Sequence, residues 1–180
     1  WDGRNLYDLY TEASTPWSWH KPIFEYAEKK DLTIFSSPFD STAVDLLEDL
    51  NAPAYKIASF EAIDIPLIKY TASTKKPMII STGMTTTDEI EEAVNAALES
   101  GCKDLILLHC VSSYPALSID YNLKTIIDMQ SRYGVMVGLS DHTIDNTTAI
   151  ASVALGAVVI EKHITLSRDG GGPDDSFSLE

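Results

Sequence analysis

His142 and His163 each stand just past a short apolar run, Val135-Met136-Val137-Gly138-Leu139 for the first and Val158-Val159-Ile160 for the second. If those runs are neighbouring parallel strands, about 4.8 Å apart, the two imidazoles can share one divalent metal ion. The plainer alternative is a pair of histidines hydrogen-bonded at a rim, and position alone leaves both open. Asp141 and Glu161, beside them, read either as acceptors that fix the imidazole tautomers or as ion-pair partners of Lys162 and Lys56. Lys56 interrupts the apolar segment Ala54-Tyr55-Lys56-Ile57, where an unpaired ammonium is costly. It fits a Schiff-base amine, an anion clamp, or a side chain pointing outward between helices. Ser37, Ser59, Ser81, Thr82, Ser112 and Ser140 each follow an apolar run. Taken singly, such residues are loop or cap residues. Converging on one spot with Lys56, they make a phosphate cradle. None has the strand-turn-helix context of an activated serine nucleophile.

Those residues need a scaffold that brings strand ends together. Six apolar runs recur, adding Leu32-Thr33-Ile34-Phe35, Met78-Ile79-Ile80 and Leu105-Ile106-Leu107-Leu108 to the three above. Each is nearly continuous in apolar residues, the pattern of parallel strands covered on both faces. Amphipathic stretches over 20–30, 42–50, 65–72, 87–100, 123–133 and 144–155 predict helices between them. The 87–100 stretch carries Ile90, Val94 and Leu98 on one stripe, a threonine cap at its start and Gly101 at its end. Such alternation predicts a parallel sheet. No glycine-rich phosphate loop follows a strand, as an open doubly wound sheet usually has. Polar residues instead end every run, which predicts the rim of a (β/α)8 TIM barrel. Six units are visible, read as strands 3 to 8, so two are expected before Trp1.

The composition sets limits. The chain has 180 residues, 44% of them hydrophobic, and a net charge of −14. That is enough for one core, and so acidic a balance argues against nucleic acid, which needs a basic footprint. No apolar run of about 18 residues occurs, so no membrane span is expected, and no signal sequence is visible at the first residues. Two cysteines, Cys102 and Cys110, are too few for a disulfide framework, and a cytoplasmic setting is expected. Gly170-Gly171-Gly172-Pro173-Asp174-Asp175 is a candidate substrate loop or a plain connector. Trp1, Trp17, Trp19 and Tyr114 fit a sugar pocket, though Trp17 and Trp19 are expected to pack a helix onto the barrel.

At these residues the sequence resembles the sialic acid synthase family, whose members condense phosphoenolpyruvate with an N-acetylated sugar. The motifs are Phe35-Ser-Ser-Pro-Phe39, Ala54-Tyr-Lys-Ile-Ala-Ser59 with Glu61, Ile80-Ser-Thr-Gly-Met84, Leu108-His-Cys-Val-Ser-Ser-Tyr-Pro115, Gly138-Leu-Ser-Asp-His-Thr143 and Ile160-Glu-Lys-His163. Six in order across the chain are specific where one is weak. The stretch from Trp1 to His20 and the end, Gly171 to Glu180, resemble one branch of the family more than its neuraminate and legionaminate branches.

The resemblance implies site roles. His142 and His163 would bind a divalent metal, manganese first, with magnesium or cobalt as alternatives. Lys56 and the hydroxyls of Ser37, Ser59, Ser81, Thr82, Ser112 and Ser140 would hold phosphoenolpyruvate. Ser112 stands where the neuraminate branch tends to have asparagine. Tyr114, Glu61, Glu161 and Asp174 would face the sugar or the reacting centre, and Asp141 joins them as a catalytic candidate. The resemblance further implies two preceding βα units, a carboxyl-terminal antifreeze-like domain and a homodimer. A Schiff-base pyruvate aldolase working through Lys56, and a non-catalytic sugar-binding barrel, are the other readings.

Overall fold

The structure, a computed structural model, describes residues 5–180. Trp1 and the rest of the first four residues lie outside the described part. Five strands, β1 (Tyr55–Ile57), β2 (Met78–Ser81), β3 (Leu105–Cys110), β4 (Met136–Asp141) and β5 (Ile160–Lys162), form one parallel sheet in the order β1-β2-β3-β4-β5. The sheet is a curled part-barrel with helices following its strands. Those helices are α4 (Ile65–Ser73) after β1, α5 (Thr87–Glu99) after β2, α6 (Thr125–Tyr133) after β3 and α7 (Thr147–Ala154) after β4. Three more precede β1: α1 (Leu6–Ala13), α2 (Trp17–Lys29) and α3 (Ser41–Asp49). Among the described residues no helix is long and apolar enough to cross a membrane.

The first expected strand is a correction. Leu32-Thr33-Ile34-Phe35 forms no strand; only Ser36 makes a parallel bridge, to Tyr55. The run lies at the sheet edge with Leu32 64% exposed, so one bridge is all that its apolar character secures. Helix α1, capped by Asn5 and only eight residues long, was not expected. Trp17 and Trp19, expected to pack inward, are 57% and 59% exposed. Helix α7 starts at Thr147 and not at residue 144, because Thr143, Asp145 and Lys162 tie the preceding loop together. At α5 the expected threonine cap is Thr86, which also forms a capping box with Glu89, each satisfying the other's amide.

Side chains on a strand alternate between faces, and register extends that alternation across the sheet. Tyr55, Ile57, Met78, Ile80, Leu105, Leu107, Val137 and Leu139 share the helix-packed face and form the core with helical residues such as Ile68, Val94 and Ile126. The opposite face carries Lys56, Ser81, Cys110, Ser140 and Glu161. Cys110, Ser140 and Glu161 lie in one row, each the register partner of the next. Gly138 sits one row below, where a Cβ would lie 2.4 Å from the Val159 carbonyl oxygen and 2.8 Å from Leu108 Cδ2. Only glycine lets β5 pack this closely against β4.

Candidate active site

The helix-free face gathers most of the polar residues that the sequence offered. Lys56, buried, pairs with Glu161, its Nζ 3.2 Å from Oε2. The other Glu161 oxygen accepts from the Ser140 hydroxyl at 2.7 Å. Ser140 Oγ also lies 3.2 Å from His142 Nε2. Lys56, Glu161, Ser140 and His142 therefore form one connected chain of polar contacts across the strand ends. Lys56 does not point outward between helices, and Glu161 is the ion-pair partner that the sequence allowed it to be.

His142 carries the clearest chemical signal. Its Nδ1 lies 2.7 Å from the carbonyl of Val111. A carbonyl can only accept, so Nδ1 holds the proton. Burial pushes the pKa of His142 down, opposed in part by the Val111 bond, so the ring is neutral near pH 7 and Nε2 keeps a bare lone pair. The one proton of Ser140 goes to Glu161 and cannot also serve that nitrogen. His163 is adjacent, with ring centroids 5.5 Å apart. Its Nδ1 faces Asp174 Oδ2 at 3.5 Å. Tyr114 lies over His142 at 4.2 Å between centroids, and Phe177 packs against both Tyr114 and His163. The chain returns beside β5 to deliver Phe177, with Leu179 donating its amide to the His163 carbonyl. Among the described residues no three His, Cys, Asp or Glu side chains converge as a ligand group. The donors here are a pair of imidazoles with open positions around them.

A second cluster lies beside the first. The Ser59 hydroxyl accepts from the Gly83 amide at 3.2 Å and touches Cys110 Sγ at 3.3 Å. A Cβ on Gly83 would come within 2.5 Å of both Cys110 Sγ and Ser112 Oγ, so the absent side chain lets these groups close around that amide. Among the described residues, the buried side-chain oxygens without a hydrogen-bond partner include Ser81 Oγ and Glu61 Oε2. Glu61 sits on the single turn Phe60–Ile63, and burial raises its carboxyl pKa, with Lys56 pulling the other way. An ammonium beside unspent hydroxyls suits an oxyanion. Ser37 follows the bridge at Ser36 and is half-buried at the edge of β1.

Two candidates lie elsewhere. Asp141 is on the helix side of β4, fully buried, accepting from Lys162 at 2.8 Å and from the amide and hydroxyl of Thr143. Period-two alternation turns it away from its neighbours Ser140 and His142. The Thr82 hydroxyl is likewise committed, donating to the Leu108 carbonyl at 3.0 Å. Asp174 faces His163 from a loop shaped by Asp175, which accepts from Thr165 and from the Gly172 amide. Sequence reasoning passed over Cys110, Gly83 and Phe177 as site residues. Register exposes Cys110, since it shares a row with Ser140.

These observations define a parallel β/α barrel-like domain with a buried ammonium, hydroxyls and two neighbouring imidazoles at the carboxyl ends of its strands. The chain belongs to the NeuB family, whose profile matches residues 1–180. It is 48% identical over 180 residues to a pseudaminic acid synthase of Helicobacter pylori, covering 100% of this chain and 53% of that protein. It is 42% identical over 163 residues to an N,N'-diacetyllegionaminic acid synthase of Campylobacter jejuni, covering 89% of this chain and 49% of that one. The crystal structure of an N-acetylneuraminic acid synthetase from Leptospira borgpetersenii, in complex with citrate, superposes with a TM-score of 0.92 at 34% identity. That match covers 99% of this chain and 63% of the other. The chain thus spans about half the length of the curated relatives it matches.

Proposed function

We propose that the protein carrying this chain is a pseudaminic acid synthase, a cytoplasmic transferase. It condenses phosphoenolpyruvate with an N-acetylated amino sugar to give a nonulosonic acid and inorganic phosphate. The observation that carries this reading is the connected chain Lys56–Glu161–Ser140–His142 beside His163. It joins an anion clamp to the bare Nε2 of His142 and the neighbouring His163 ring in one pocket. The 48% identity to a pseudaminic acid synthase over the whole chain supports that branch over the N-acetylneuraminate and legionaminate synthases.

His142 and His163 would hold a divalent cation, Mn2+ with Mg2+ or Co2+ as alternatives, through their Nε2 atoms. Such an ion supplies Lewis-acid stabilisation of charge on a carbonyl oxygen. Lys56 and the hydroxyls of Ser59, Ser81 and Ser112 hold the phosphate and carboxylate of phosphoenolpyruvate, with Ser37 at the edge. Tyr114 and Asp174 face the sugar. C3 of phosphoenolpyruvate bonds to the carbonyl carbon of the open-chain sugar. Water adds at C2, with Glu61 or Glu161 placed to take its proton. The C2–O bond to the phosphate group then breaks as the new C2 hydroxyl loses its proton to become the ketone, the former aldehyde oxygen takes up a proton, and the departing phosphate stays beside Lys56.

The same reading covers the architecture. This chain supplies βα units 3 to 8 of an eight-unit barrel, the first of them represented at the sheet edge by the single bridge of Ser36. The other two βα units, an antifreeze-like domain and a homodimer complete the protein. Support comes from the open order of the five strands, which leaves two sheet edges.

Phosphate release from phosphoenolpyruvate by the full-length protein tests the function, run with the pseudaminate, legionaminate and neuraminate precursors. Release that requires Mn2+, favours the pseudaminate precursor and disappears in His142→Ala supports it. Absence of release with all three precursors, or a borohydride-trapped pyruvate adduct on Lys56, overturns it.

A further inference from the structure

We infer that Tyr121 is a positioning residue that holds His142 and Ser140 in place, standing in for a missing rung of the sheet. The inference rests on the proposed metal role of His142.

The argument begins with ladder geometry. In a parallel pair, one residue donates its N–H and accepts at its C=O, bonding the two residues that flank its partner. Cys110 is the register partner of Ser140, the last pair between β3 and β4. Continuing the register would oppose Val111 to Asp141, with Val111 bonding the Ser140 carbonyl and the His142 amide. Val111 does neither, because β3 ends at Cys110 and the Val111 carbonyl turns to the His142 ring nitrogen. The Tyr121 hydroxyl takes over both bonds. It donates to the Ser140 carbonyl at 3.1 Å and accepts from the His142 amide at 2.7 Å. One phenol oxygen thus does the work of a whole backbone residue.

Tyr121 is itself tightly held. It ends the single turn Ser118–Tyr121, is fully buried, and meets His109 edge-on with centroids 6.0 Å apart. Its own carbonyl takes His109 Nε2 at 2.5 Å. On the far side, the His142 carbonyl accepts from Ala116 at 3.0 Å. The imidazole, its amide and its carbonyl are therefore each pinned by a different residue of the segment after β3. Freeing the Val111 carbonyl for the ring is possible only because Tyr121 fills the ladder.

The test is Tyr121→Phe in the full-length protein, with Mn2+ binding measured by electron paramagnetic resonance of the free ion. Supporting partners around a metal-bound histidine are typically worth about 10- to 100-fold in affinity, and the hydroxyl is expected to be worth about tenfold. Tyr133→Phe is the control: it also loses a hydroxyl bond to a carbonyl, that of Thr87, and is expected to leave Mn2+ affinity within about twofold. Wild-type affinity in Tyr121→Phe overturns the inference, whereas a wild type that binds no Mn2+ overturns the metal reading beneath it. If Tyr121→Phe does not fold, amide hydrogen exchange on the wild type decides. Strong protection of the His142 amide supports the bond to Tyr121, and exchange at the rate of a surface loop refutes it.

Discussion

Gly138→Ala should spread β4 from β5 and loosen the site two residues further along. The added Cβ would lie 2.4 Å from the Val159 carbonyl oxygen and 2.8 Å from Leu108 Cδ2. The first obstacle is backbone and cannot rotate away, so the strands must part by roughly 1 Å to reach ordinary contact, and forcing a methyl into a packed site costs about 1–3 kcal/mol. Gly138 is not in the left-handed region, so alanine suits its backbone and recovers about 0.4–1 kcal/mol from the unfolded chain. The net expectation is a loss of about 1–2 kcal/mol. Because Ser140 and Glu161 lie one row above, the same spreading lengthens their 2.7 Å bond and weakens phosphoenolpyruvate binding. Urea denaturation of the full-length protein gives the first quantity, and calorimetry with phosphoenolpyruvate the second. A variant as stable as wild type, binding the ligand equally well, would show that the strands are not held at this spacing.

Three further outcomes follow from other contacts. Lys56→Met removes the buried ammonium of the cradle; a charge-assisted contact is worth about 1.5–3 kcal/mol, so phosphoenolpyruvate should bind about 10- to 100-fold more weakly by calorimetry. Asp141→Ala strands the Lys162 ammonium inside the fold and should destabilise the protein by about 3–5 kcal/mol in urea, more than a residue acting only in the reaction would. Burial lowers the pKa of His109, so the folded state resists a proton that the unfolded state accepts. Stability should be full above about pH 6.5 and fall as pH drops below it; His109→Gln should flatten that slope in denaturation curves at pH 5 and 7.

Much of the site was legible because chemistry and strand ends coincide in the sequence. His142, His163 and the serines each follow an apolar run, Lys56 interrupts one, and five of the six runs are strands. What the sequence could not settle was the face. Ser140, Asp141 and His142 are consecutive, and alternation sends Asp141 to the helices while its neighbours face the pocket. Thr82 is lost to the pocket in the same way. The run at 32–35 looked like a strand because its residues favour one, yet the pairing it makes is a single bridge. Tyr121 was invisible for a different reason: its role depends on a register gap at Val111, and nothing local to Ser118–Tyr121 signals it.

The row of Cys110, Ser140 and Glu161 has a practical consequence for anyone who wishes to redirect this pocket. Odd and even positions along each strand answer to different demands, one set to packing and the other to ligands. A combinatorial library confined to the ligand-facing set would vary recognition while leaving the helix-facing set, and with it most of the folding free energy, untouched. Gly138 belongs by position to the permissive set but by steric demand to the other, and such a library must leave it alone.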